Sequence, residues 1–113
     1  MQYLLLIYEN EANRGNVDRK KVHDEYGQFT KSIIESGNFK GGDGLQPTST
    51  ATTVRVKDGK PVTTHGPFAE TREALIGYYA IEAKDLDQAL TIAARVPSAK
   101  VGAIEVRPVM VYN

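Results

Sequence analysis

The densest group of reactive side chain types is the stretch His65-Gly66-Pro67-Phe68-Ala69-Glu70-Thr71. An imidazole, the side chain suited to exchanging a proton near neutrality, stands directly before a rigid Gly-Pro turn, and an aromatic ring and a carboxylate follow it. A fixed loop holds a base in place, so His65 is a candidate general base, with Phe68 and Glu70 as candidate substrate-binding groups. The alternative is architectural: Gly-Pro makes a turn, Phe68 plugs the edge of the core and His65 is a hydrogen-bonded loop residue. Tyr26 is the second catalytic candidate. It falls on the apolar stripe of a predicted helix, where a buried phenol is either core or in need of a hydroxyl partner. If that hydroxyl meets His65 at the sheet edge, the two form an acid–base pair able to move a proton on a small substrate. Arg55, on one strand face with Thr53, offers a guanidinium that can grip a substrate carboxylate, as does Arg107 beside Glu105. Glu and Arg at neighbouring sheet positions equally pair with each other or across subunits, for under about 1 kcal/mol when exposed.

Several chemistries find no support. The chain has no cysteine, which excludes disulfides, thiolate metal sites and thiol nucleophiles. His23-Asp24-Glu25 occupy consecutive helix positions that diverge and cannot converge on one ion, so no metal site is expected. Gly41-Gly42-Asp43-Gly44 lacks the Lys-Ser/Thr of a phosphate loop; it reads as a turn, and no nucleotide or other cofactor is implied. Fourteen Lys+Arg balance fourteen Asp+Glu, so no basic field exists for direct nucleic-acid binding or for adhesion to anionic lipid.

The 113 residues are enough for one domain, 1–113, with a single core. The first apolar run, Tyr3 to Tyr8, is too short for a signal peptide core or a membrane span, and nothing later is longer, so a cytoplasmic protein is expected. That run is apolar at consecutive positions and predicts a central strand covered on both faces. Val22, Tyr26, Phe29 and Ile33 recur at helical spacing and predict a helix within 17–36, capped by Asn16 or Asp18 and closed by Gly37-Asn38, with Gly27 marking a close approach. Thr50 to Lys57 alternates, Asp58-Gly59 supplies a tight turn, and Val62 to Thr64 returns as its partner. Leu75 to Ile81 predicts a strand. Asp85 caps a second helix with Gln88 three residues on, and Leu86, Leu90, Ala93 and Val96 form its expected buried stripe up to Pro97. Ala103 to Val111 alternates as the last strand. The resulting order β, α, β, β, β, α, β is that of a ferredoxin-like α+β sandwich with an added hairpin strand. Helices cover one face of such a sheet; the other face predicts a second copy of the chain packed sheet on sheet.

The runs Tyr3-Leu4-Leu5-Leu6-Ile7-Tyr8, Gly44-Leu45-Gln46-Pro47, Thr50 to Val56, His65 to Thr71, Gly77-Tyr78-Tyr79 and Glu105-Val106-Arg107-Pro108-Val109, in this order, resemble the YCII-related, DGPF-domain family across nearly the whole chain. The resemblance implies a dimeric α+β barrel, a bacterial cytoplasmic homodimer and a pocket served in the wider family by a histidine–aspartate pair. In this sequence the aspartate that usually opens the Asp-Gly-Pro-Phe turn is His65, and the helical histidine of many members falls at Tyr26. Any pair here is therefore Tyr26 with His65. Two functions follow as expectations. The first is a small cofactor-free lyase- or isomerase-type enzyme, with His65 as base, Tyr26 as donor and Arg55 anchoring a small anionic or phenolic ligand. The alternative is a non-catalytic ligand-binding or sigma-factor-associated regulatory dimer, which the resemblance also implies.

Overall fold

The computed structural model describes residues 1–112. Six strands and two α-helices form, in chain order, β1 (Gln2–Glu9), α1 (Arg19–Glu35), β2 (Phe39–Gly44), β3 (Thr52–Lys57), β4 (Lys60–His65), β5 (Ala74–Glu82), α2 (Leu86–Ala93) and β6 (Ala103–Pro108). Short 3-10 turns at Glu11–Asn16, Thr48–Thr50 and Pro97–Lys100 join them. The main sheet runs β2-β5-β1-β6, and every neighbouring pair in it is antiparallel. This is the ferredoxin-like α+β arrangement, with β1 central as its apolar run predicts.

The core lies between that sheet and the helices. Tyr3, Leu5 and Ile7 alternate toward the helices and are buried, as are Tyr79 and Ile81 on β5. Phe29 and Ile33 of α1 and Ala89, Ile92 and Ala93 of α2 close over them. Leu5, Ile33, Ile81 and Val96 are wholly enclosed, each contributing about 1.5–3 kcal/mol of burial. Phe29 meets Tyr79 edge to face at 5.2 Å, which fixes α1 above β5. The other sheet face carries Leu4 and Leu6 of β1 opposite Ala80 and Tyr78, and Arg107 and Glu105 of β6.

The helix ends follow local chemistry. The Asp18 carboxylate accepts from the amides of Lys20 and Lys21 and starts α1; the side chain of Asn16, the other predicted cap, lies outside the described residues. The Asn38 amide bonds back to the Ile33 carbonyl and ends the helix. Asp85 accepts from the Gln88 amide, while the Gln88 side chain takes the Lys84 amide.

Four expectations need correction. Gly41-Gly42-Asp43-Gly44 is not a turn: it forms most of β2, an edge strand on β5. A Cβ on Gly42 would stand 2.7 Å from the Tyr78 carbonyl oxygen and 2.9 Å from the Tyr79 ring, so glycine here marks two close-packed backbones rather than a bend. Gly27, by contrast, has nothing within 4 Å of the Cβ it lacks. The buried stripe of α2 is Ala89, Ile92 and Ala93, continuing to Val96, while Leu86 and Leu90 are exposed. Two apolar stripes overlap on that helix, and the one with the alanines allows the nearer approach to the sheet. The last strand ends at Pro108, and Val109 to Tyr112 continue as an exposed segment.

The added hairpin is β3–β4, a two-stranded sheet of its own. Asp58 (φ 51°) and Gly59 (φ 77°) form the predicted tight turn. All six residues of β4 and all of β3 except the half-buried Thr53 are exposed, with Val54, Val56 and Val62 facing solvent. The hairpin therefore stands away from the body. The radius of gyration, 16.0 Å, exceeds the ~13 Å of a compact chain this long.

Candidate functional site

A cavity of about 420 Å³ opens between the N-terminal half of α1 and the β2–β5 edge of the sheet. Its roof is Val22, His23, Tyr26 and Thr30, four positions on one helix face at spacings of one, three and four. Its floor is Gly42 and Gly44 of β2 with Gly77 of β5, where Gly44 pairs with Gly77 and Gly42 with Tyr79. No side chain projects from these three floor positions, and Ile7, Ile76 and Tyr79 line the cavity around them. Arg14, from the 3-10 turn before α1, stands at the rim. That turn is tied down by Glu11, whose carboxylate accepts from the Thr48 amide at 3.0 Å and from its hydroxyl at 2.5 Å. Those two bonds hold the Glu11 carboxyl below its ordinary pKa.

Several polar groups around the cavity are paired, whereas Arg14 and His23 make no side-chain hydrogen bond or ion pair among the described residues. The Thr30 hydroxyl and the Tyr79 hydroxyl are 2.6 Å apart. At the same edge, on the sheet face turned away from α1, Tyr78 donates to the Asp43 carboxylate at 2.7 Å, and this bond raises the phenol's pKa by favouring the protonated form. Tyr26 reaches through the core to Ser98, in the 3-10 turn that follows α2, and Ser98 in turn donates to Glu9 at the end of β1. Burial pushes the Tyr26 phenol above its ordinary pKa, and the Glu9 charge adds to this. Ser98 reaches Glu9 because of Gly102: a Cβ there would sit 2.0 Å from the Tyr8 carbonyl oxygen, so only glycine lets the segment before β6 lie against the end of β1.

The five residues singled out in the sequence separate into two places. Tyr26 lines the cavity, and its hydroxyl bonds Ser98. His65 ends β4 opposite Thr52 on the exposed hairpin, so within one chain the two belong to different regions. Arg55 and Phe68 do come together: the guanidinium lies 4.7 Å from the ring centroid, and Thr53 donates to the Gly66 carbonyl at 2.9 Å, folding the turn back on β3. Phe68 is 73% exposed and plugs no core edge. Glu70 is exposed and makes no hydrogen bond or ion pair among the described residues. Arg107 is held by Glu105 on its own strand, through Nε at 2.8 Å.

Residues not singled out complete the site. His23 lies one turn before Tyr26 on the same helix face, a signal that the i, i+3 spacing carries. Arg14, Ser98 and Glu9 carry none, because Ser98 is 72 positions from Tyr26 and 89 from Glu9.

An uncharacterized protein of Rhizobium meliloti (strain 1021) is 32% identical over the whole of this chain and 95% of its own length. Residues 1–113 match the family described as the YCII-related domain. With the family matched from end to end and a relative aligned over the whole of this chain, the chain belongs to the YCII-related domain family.

Proposed function

We propose that the cavity beneath α1 binds a small anionic or phenolic molecule and that the protein acts on it by cofactor-free proton transfer, as a lyase- or isomerase-type enzyme does. The observation that carries this reading is the presence of an imidazole and a phenol, His23 and Tyr26, one helical turn apart on the wall of a solvent-reachable cavity with a glycine floor. Proton transfer needs an acid and a base on one small ligand, and no covalent nucleophile or metal enters the scheme. Arg14 at the rim is suited to a ligand carboxylate. In this reading the base first assigned to His65 is His23. His65, Arg55, Phe68 and Glu70 serve the site only where a homodimer brings the hairpin of one chain to the other; a homodimer also covers Leu4 and Leu6 and the valines of the hairpin.

The test is amide-detected NMR titration with a set of small phenols and carboxylates. Shifts gathered at Val22, His23, Tyr26, Thr30, Gly42 and Gly77 are expected, weakened in Tyr26→Phe and His23→Ala proteins. If no compound moves these signals at millimolar concentration, the reading is abandoned. Once a substrate is found, loss of either group lowers turnover by about 10²–10⁴-fold.

A second reading, a ligand-binding or sigma-factor-associated regulatory dimer without catalysis, draws support from the hairpin. Its exposed Val54, Val56, Val62 and Phe68 form an apolar arm suited to another protein surface. Sedimentation of the chain with a sigma factor of its host distinguishes the two: a stable complex lost on Val54→Asp favours regulation, and independent sedimentation counts against it.

A further inference from the structure

We propose that Tyr26, Ser98 and Glu9 form a directed proton chain that makes the Tyr26 oxygen an acceptor toward the cavity, so that the site takes a neutral hydroxylic ligand, a phenol or an enol, and draws its proton away. This rests on the cavity reading and narrows its ligand class.

The direction follows from counting protons. Ser98 is 2% exposed and its hydroxyl owns one hydrogen. That hydrogen goes to Glu9, because an ionised carboxylate can only accept. Toward Tyr26 the Ser98 oxygen is therefore left with lone pairs, and the phenol must be the donor. The phenol's single hydrogen points at Ser98, and whatever reaches its oxygen from the cavity meets an acceptor. A carboxylate or phenolate placed there would face lone pairs and repel; a neutral hydroxyl would complete the chain. Arg14, at the rim, is left for any anionic end of the same ligand.

The same chain can carry a proton. As the ligand's O–H bond breaks, its proton joins the Tyr26 oxygen, the Tyr26 proton passes to the Ser98 oxygen, and the Ser98 proton passes to the Glu9 carboxylate. The ligand keeps its electron pair as an enolate or phenolate, Tyr26 and Ser98 end neutral as they began, and Glu9 ends as the acid. Glu9 is only half-buried and can return the proton to water. Tyr26 touches the ligand, while Ser98 and Glu9 act through it as positioning residues.

The test uses two probes of nearly the same shape, phenol and anisole, of which only phenol has a hydroxyl hydrogen. Their affinities are measured by NMR on the full chain carrying ¹³Cζ-labelled tyrosine, with the Tyr26 and His23 signals reporting occupancy. The phenol-to-anisole affinity ratio is expected to exceed that of Tyr26→Phe protein by roughly two- to tenfold, the value of one hydrogen bond. Ser98→Ala and Glu9→Gln, which leave the phenol in place, are expected to abolish that excess and to move the Tyr26 ¹³Cζ signal in the free protein. Equal ratios in native and Tyr26→Phe proteins, with both probes in the cavity, overturn the directed chain and leave the cavity reading standing. An excess that survives in both Ser98→Ala and Glu9→Gln also overturns it. If neither probe reaches the cavity signals, the cavity reading and this inference fall together.

Discussion

The body and the hairpin of this protein divide its chemistry in opposite ways. The hairpin end holds His65, Phe68 and Glu70 within six consecutive residues, yet β4 packs under nothing and its one close partner is β3. The body draws Arg14, His23, Tyr26, Gly42, Gly77 and Ser98 from five separate segments and buries Gly77 and Ser98 while Arg14 and His23 stay open to solvent. Local density of reactive residue types shows only that a loop is short. A binding site needs walls, and walls come from elements far apart in the chain.

The largest effect that separates the two regions is packing. Leu5→Ala is expected to cost about 3 kcal/mol, because Leu5 is wholly enclosed between sheet and helices. Val54→Ala in the isolated chain is expected to cost under about 0.5 kcal/mol. Urea unfolding of both variants checks the contrast, and a Val54 cost above 1 kcal/mol that rises with protein concentration would place the hairpin against a second copy. Next is Gly42→Ala, expected to cost about 1–3 kcal/mol through overpacking against Tyr78 and Tyr79. It should also weaken phenol binding, whereas Gly44→Ala, with nothing within 4 Å of its Cβ, should spare stability more.

How much of this division the sequence discloses depends on the range of the interaction. Helix caps at Asp18 and Asp85 and the Asp58-Gly59 turn are readable because cap, turn and partner lie within four residues. The central place of β1 is readable because a strand buried in the middle of a sheet must be apolar along its length. The glycine run 41–44 is misread as a turn because the reason for those glycines is β5, over thirty positions away. The site fares the same way. Tyr26 is legible as a helical phenol in need of a partner, but the sequence points to His65 for that partner, and no local pattern marks Ser98.

Two smaller effects sharpen the contrast through pH. Tyr26 is a half-buried phenol of the body, and its folded pKa lies above the ordinary 10.0. Its stabilising contribution is complete below pH 10 and declines as the pH rises toward the folded value. Alkaline unfolding curves should therefore lose part of their slope in Tyr26→Phe protein, and an unchanged slope would show that the Tyr26 phenol titrates alike in the folded and unfolded chain. The acid end tests the rim. Glu11 has a folded pKa below the ordinary 4.5, so its contribution is present above pH 4.5 and is lost as the pH falls through the lower folded value. Glu11→Gln should flatten this acid limb slightly, by the small amount an exposed group supplies.

The glycine run of β2 has one more consequence. β2 is the outermost strand on its side of the sheet, and three of its six residues are glycine, the residue that loses most freedom on becoming ordered. The floor of the cavity is thus the strand most easily peeled away, while β1, two places inward, is held on both sides. A molecule seated above β2 gains a stiffer floor as it binds, and slowed amide hydrogen exchange along 39–44 would report its arrival even where no side chain moves.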